Sequence, residues 1–229
     1  MKRQTIQIVV IIWVFLLSAC QREEAADVSA TGYLVLEDIS VVTSEAEAIG
    51  AGARTVDADF YVTIASAAST TTYNPGGFPE GKLALEPGTY TLTVENAAYR
   101  NGTDNAAKYY YQDTFTIEAE KVTYLQVEVP MVNFAVSFSV PSSFGTYFQR
   151  PVFQVKVDYP SSDTPKISTL NSQLVPAYFD YEQGVTLTFT FSALNADNET
   201  VALEGTYTAV TSGKMYVVTY SLPEGLSVQ

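Results

Sequence analysis

Apolar and polar residues alternate along most of this chain with a period of two. Tyr90, Leu92 and Val94 alternate with Thr89, Thr91, Thr93 and Glu95, and Leu125, Val127 and Val129 with Tyr124, Gln126 and Glu128. The same rhythm runs through Phe134 to Val140, Phe153 to Tyr159 and Val185 to Ser192. Successive side chains on a strand point to opposite faces, so each stretch predicts a half-buried strand with one face on a core. Turn chemistry separates them: Asn74-Pro75-Gly76-Gly77, Glu86-Pro87-Gly88, Asn101-Gly102 and Ser212-Gly213. Proline sets φ for a turn and glycine supplies a positive φ without steric cost. Beyond the first twenty residues no window carries an apolar stripe at helical spacing. The pattern predicts an all-β protein built of antiparallel sandwiches.

The alternation pauses at Pro130 and restarts at once at Val132. That divides the chain into an N-terminal β-sandwich over 32–130 and a C-terminal one over 131–229, each of a size that suits about seven strands. No flexible linker lies between them, which predicts a stiff junction. The halves share the alternation but no sequence repeat.

The first residues follow another rule. Lys2 and Arg3 precede an apolar run from Ile8 to Leu17, and Leu17-Ser18-Ala19-Cys20 closes it. A basic start, an apolar stretch and small residues before the cut form a secretory signal. A run this short falls below the roughly 20 residues a spanning helix needs. Cys20 is the chain's only cysteine and stands where acylation of a bacterial lipoprotein occurs. The reading is a signal peptide over 1–19, a lipidated Cys20, and a polar tether over 20–31. Acyl chains contribute about 0.8 kcal/mol per buried methylene, so several hold a protein at a membrane. The membrane, reached through this lipid, is the first expected partner.

Charge and missing residue types narrow the function. Losing Lys2 and Arg3 leaves 10 basic residues against 25 acidic ones, a net charge of −15. Such a surface repels phosphate backbones, so no nucleic acid partner is expected. The chain has no histidine. That removes the commonest general base, the Ser-His-Asp and Cys-His arrangements, and His/Cys zinc sites. Carboxylate-only chemistry, as in glycosidases, is the enzymatic route left, and no spaced carboxylate motif accompanies it. No cofactor or metal is called for, and the chain is read as not an enzyme.

The order of the segments resembles a family. Gly32-Tyr33-Leu34-Val35-Leu36, Asp59-Phe60-Tyr61-Val62-Thr63-Ile64, Leu85-Glu86-Pro87-Gly88-Thr89-Tyr90-Thr91-Leu92, Phe115-Thr116-Ile117-Glu118-Ala119, Met131-Val132-Asn133-Phe134-Ala135-Val136 and Ala177-Tyr178-Phe179 follow in sequence. Together they resemble Bacteroidota surface lipoproteins of a domain-of-unknown-function family, related to fimbrillin-like pilus proteins. Members often carry a cysteine just before the second-half strand, and this chain has none. The resemblance implies two transthyretin-like or immunoglobulin-like sandwiches in tandem. It also implies a lipid-anchored place on the outer membrane, facing the cell surface, in adhesion or a fimbria-like assembly. Gln21, Arg22, Glu23 and Glu24 resemble the surface-export signal of that phylum; a generic solvated tether is the plainer reading. Fimbrillin-like pilins are cut after a basic residue in the loop behind the first strand, which makes Arg54 a candidate processing site. Removing a strand would expose unpaired backbone groups for another strand to fill. One exposed basic residue in a loop is the plainer account of Arg54. The tail after Tyr220 is broken by Pro223 and Gly225 and makes a poor donor strand. An anchor or accessory protein therefore fits better than a repeating pilin.

A second function class rests on aromatics. Tyr99, Tyr109, Tyr110 and Tyr111 flank the polar loop Asn101-Gly102-Thr103-Asp104-Asn105, a candidate glycan contact for a carbohydrate-binding lipoprotein of nutrient capture. Against it stands the habit of consecutive tyrosines to cover both faces of a sheet. Expected partners are thus fimbrial subunits or surface glycans. Asn195-Ala196-Asp197-Asn198-Glu199 reads as a hairpin turn; it lacks the fixed ligand positions of a calcium loop. The sequons at Asn101 and Asn198 also read as turns.

Overall fold

The computed structural model describes residues 30–42, 60–221 and 225–228. Its strands are β1 Gly32–Val42, β2 Phe60–Ala65, β3 Thr70–Tyr73, β4 Leu83–Leu85, β5 Gly88–Asn96, β6 Tyr110–Ile117, β7 Val122–Pro130 and β8 Phe134–Ser139. They continue with β9 Gln149–Asp158, β10 Lys166–Thr169, β11 Ala177–Phe179, β12 Thr186–Leu194, β13 Thr200–Tyr207, β14 Met215–Ser221 and β15 Gly225–Val228. Two one-turn helices, α1 Ala97–Arg100 and α2 Phe144–Tyr147, interrupt them. The alternation is obeyed closely: β12 buries Leu187, Phe189, Phe191 and Ala193 and turns Thr186, Thr188, Thr190 and Ser192 outward.

The strands form four sheets, ordered β4-β1-β7 and β3-β2-β5-β6, then β11-β8-β14-β15 and β10-β9-β12-β13. Adding seven to each strand number in the first two orders reproduces the last two, apart from the extra β15. The pairing senses repeat as well. β1 lies antiparallel to β4 and parallel to β7, as β8 does to β11 and β14. The chain is therefore all-β, two sandwiches of one topology, with a parallel first-to-seventh pair in each that period-two alternation cannot reveal. β1 crosses that pairing with a bulge between Leu36 and Asp38. The inserted Glu37 moves the buried positions from Leu34 to Ile39 and keeps both halves of the strand on the core.

Each sandwich has its own core. The first is largely aliphatic around Leu34, Val62, Leu92, Val94, Ile117 and Val129, with Phe60 at its centre. The second is aromatic: Phe138 stacks on Phe153 at 4.0 Å, Phe153 meets Phe191 at 5.1 Å, and Phe191 meets Tyr220 at 5.0 Å. Two glycines make room. A Cβ on Gly32 would lie 2.4 Å from the Glu118 carbonyl, and one on Gly205 would lie 2.3 Å from the Phe189 ring. Backbone and ring approach there too closely for any side chain.

Candidate functional site

The loop between β5 and β6 organises the chemistry of the first sandwich. Asn96 ends β5, and its Oδ1 accepts from the backbone N–H groups of Tyr99 and Tyr109, both at 3.0 Å. Its Nδ2 donates to the Ala107 carbonyl at 2.8 Å. One side chain thus caps α1 and ties both ends of the loop, the use to which asparagine is suited before a helix. The cap places Tyr99 over Tyr110 of β6, rings stacked 4.5 Å apart. The next residue, Arg100, reaches back over the Tyr61 ring at 4.5 Å and bonds Glu95 at 3.3 Å. Tyr61, Glu95 and Tyr110 are register partners across β2, β5 and β6, so the three side chains make one row with α1 above it. Burial, then the neighbouring Tyr99 and Glu95, push the Tyr110 phenol above its ordinary range.

Beyond that row the outward face is a field of hydroxyls. Thr72, Thr63, Thr93 and Gln112 form the next row, and Thr70, Ala65, Thr91 and Thr114 the one after; Thr89 pairs Thr116. The Thr63 and Thr72 hydroxyls hydrogen-bond at 2.9 Å. The two charged side chains in these rows, Glu95 and Arg100, neutralise each other.

The tyrosine run is split by the sheet. Tyr110 joins Tyr99 on the outer face. Tyr109 turns inward, edge-on to Phe60 at 6.2 Å, and bridges Met131, with burial and Tyr178 raising its phenol pKa. Tyr111 also turns inward, its hydroxyl donating to Asp113 at 3.3 Å. It lines a cleft of about 30 Å³ between β6 and β7, room for about one water. Tyr61 and the threonines enter the sequence analysis only as strand residues, and Arg100 and Asn96 not at all; an asparagine placed to cap Ala97-Ala98-Tyr99-Arg100 is the one local signal that could have found any of them. Cys20, Gln21, Arg22, Glu23, Glu24 and Arg54 lie outside the described residues.

The rest of the same loop fastens the two sandwiches. Buried Asn133, just before β8, accepts from the Lys108 N–H at 3.0 Å and donates to the Ala106 carbonyl at 2.8 Å. Val132 N–H donates to the Lys108 carbonyl at 2.8 Å. Asn105 holds a left-handed φ of 52°, and its Oδ1 accepts from Tyr178 N–H at 2.8 Å. Lys108, its side chain 13% exposed, pairs Asp180 through Nζ, while Lys166 bridges Asp104 at 3.2 Å and Asp180 at 3.7 Å. Beside this clasp the Tyr159 hydroxyl is buried without a hydrogen-bond partner among the described residues. Burial, with the charges of Asp180, Asp104 and Glu182, pushes its phenol up to about 12.

Among the described residues no group of three His, Cys, Asp or Glu side chains is placed to hold a metal. The Asn195 segment is the turn between β12 and β13, with Asn195 Oδ1 accepting from Asp197 and Glu199 N–H groups at 3.0 and 2.9 Å. No helix among the described residues is long and apolar enough to cross a membrane.

Three solved structures share the outline. A candidate cell adhesion protein from Bacteroides ovatus is 14% identical, with 86% of this chain and 94% of that one covered and a TM-score of 0.44. One from Bacteroides uniformis is 8% identical, covering 88% and 96%, TM-score 0.43. A candidate adhesin from Bacteroides ovatus is 10% identical, covering 87% and 92%, TM-score 0.40. No protein of curated function matches the chain. Residues 30–228 match the family described as Domain of unknown function (DUF4493), nearly the whole of both sandwiches, and the chain belongs to that family.

Proposed function

We propose that this protein is a non-catalytic cell-surface protein of adhesion, an anchor or accessory of a fimbria-like assembly, held at the outer membrane through a lipid on Cys20. The observation that carries the reading is the clasp at Asn133, Lys108 and Asp180. It joins the two sandwiches with backbone-directed hydrogen bonds and an ion pair buried on its lysine side. A protein that holds something at a distance from a membrane needs such a joint, since a free hinge would let its far domain wander. The units proposed are 32–130 and 131–229, with the acidic tether at Gln21–Glu24 directing display.

The working form in this reading is uncut at Arg54. β1 is paired on both sides, by β4 and β7, and buries Leu34 and Ile39, so the first sandwich is complete with its own strand. The deciding experiment compares native cells lacking the protein after complementation with wild type or Cys20→Ala. Wild type is expected to take up palmitate, to be shaved by protease on intact cells and to restore adherence. Adherence unchanged by the deletion, or restored equally by the unlipidated variant, overturns the proposal.

A further inference from the structure

The outward face of the β3-β2-β5-β6 sheet has chemistry that strand formation alone does not require. Threonine is a good strand former on a solvated face, so the threonine rows by themselves need no function. The row of Tyr61, Glu95 and Tyr110 with Tyr99 and Arg100 above it does need an explanation. Tyr99 stacks on Tyr110 and remains 37% exposed, so the row ends in an aromatic side chain at the surface. Arg100 is held between the Tyr61 ring and the Glu95 carboxylate. Strand register sets Tyr61, Glu95 and Tyr110, and Asn96, through three side-chain hydrogen bonds, holds the loop that carries Tyr99 and Arg100. An exposed aromatic held this firmly loses little conformational entropy when something stacks on it.

The neighbouring rows complete a pattern. Hydroxyls stand about 4.8 Å apart across strands and about 6.6 Å apart along them. Thr63, Thr72, Thr91, Thr93 and Thr114 can each donate and accept one or more hydrogen bonds. No net charge lies in this area, although the chain as a whole carries 25 acidic residues against 12 basic ones. A face cleared of charge on so acidic a protein suits a ligand that is itself uncharged and rich in hydroxyls. The second sandwich supplies a comparison. Its equivalent strand β12 also turns Thr186, Thr188 and Thr190 outward, yet among the described residues no tyrosine shares those rows.

We propose that this face binds a neutral oligosaccharide, one ring stacking on Tyr99 beside Arg100 and the following rings lying along the threonine rows. Tyr99 provides the platform, Arg100 hydrogen bonds to ring or hydroxyl oxygens, and Thr91 and Thr93 meet the next residues. Asn96 is a positioning residue that touches no ligand. The inference names the ligand class for the adhesion reading above and rests on that reading for its biological setting.

The test uses the full chain in detergent and neutral gluco-, manno- and galacto-oligosaccharides, with a polyuronate as the charged comparison. Isothermal titration is expected to give saturable binding to at least one neutral series and none to the polyuronate. Tyr99→Ala and Arg100→Ala should each weaken it about tenfold or more, equivalent to about 1.4 kcal/mol. The isosteric pair Thr91→Val and Thr93→Val should weaken it several-fold with unchanged thermal unfolding, whereas Thr188→Val in the second sandwich leaves it intact. Absence of binding to every neutral probe at millimolar concentration, undiminished binding in Tyr99→Ala, or preference for the polyuronate overturns the proposal. Sugar binding is read in solution and adherence on cells, so either reading can fail while the other stands.

Discussion

Replacing Asn133 by alanine is expected to loosen the join between the sandwiches and not only to lower stability. The side chain is 2% exposed and makes one bond in each direction, accepting from Lys108 N–H and donating to the Ala106 carbonyl. Each such bond contributes about 1 kcal/mol net, and a partner left dry costs about 1–3 kcal/mol more. Lys108 and Ala106 are half-buried, so water can reach them once the amide is gone. The two bonds together then set the loss at about 2 kcal/mol, with little added for dry partners. Urea unfolding followed by tyrosine fluorescence and far-ultraviolet dichroism is the assay. Wild type should unfold with coincident transitions, because the clasp makes each sandwich report on the other. Asn133→Ala should shift the midpoint and separate the transitions. A shift below about 0.5 kcal/mol with transitions still coincident would refute the reasoning.

Three further outcomes follow from the same geometry. Gly205→Ala places a methyl 2.3 Å from the Phe189 ring; thermal unfolding should show a loss of about 1–3 kcal/mol, part of it recovered by Phe189→Leu. Lys108→Ala removes the partner of a half-exposed Asp180 that keeps Lys166 at 3.7 Å. It should cost only about 1 kcal/mol, and high salt should shrink the difference from wild type. Tyr159→Phe deletes a buried, unpaired hydroxyl and should raise stability at neutral pH by up to about 1–2 kcal/mol. Because the folded phenol sits near 12 and an unfolded one near 10, its contribution is flat below pH 10 and lost as pH rises toward 12. The excess loss in wild type over Tyr159→Phe should reach about 1 kcal/mol per pH unit, measured by unfolding at pH 9 to 12.

Much of this architecture could be read along the chain. Leu92 and Val94 against Thr91 and Thr93, or Leu187 and Phe189 against Thr186 and Thr188, state both that a strand exists and which side of it is buried. The site was less legible. Tyr109, Tyr110 and Tyr111 are adjacent in sequence, but alternate residues of a strand face opposite ways, so Tyr109 and Tyr111 pack inward while Tyr110 meets Tyr99 outside. Tyr61 and Arg100 lie on separate elements, and only the register of β2 on β5 brings them together.

Strand identity, buried face and turn position were settled by the sequence itself, because alternation and turn chemistry act over a few neighbouring residues. The parallel pairing of β1 with β7 and β8 with β14, and the seven-strand repeat it creates, came only with the tertiary structure. So did the clasp that joins Asn133 to Lys108 and Lys108 to Asp180. A period of two tells a strand which way to face and is silent about which strand will lie beside it. That choice is made by contacts between residues far apart in the chain, where local pattern carries no information.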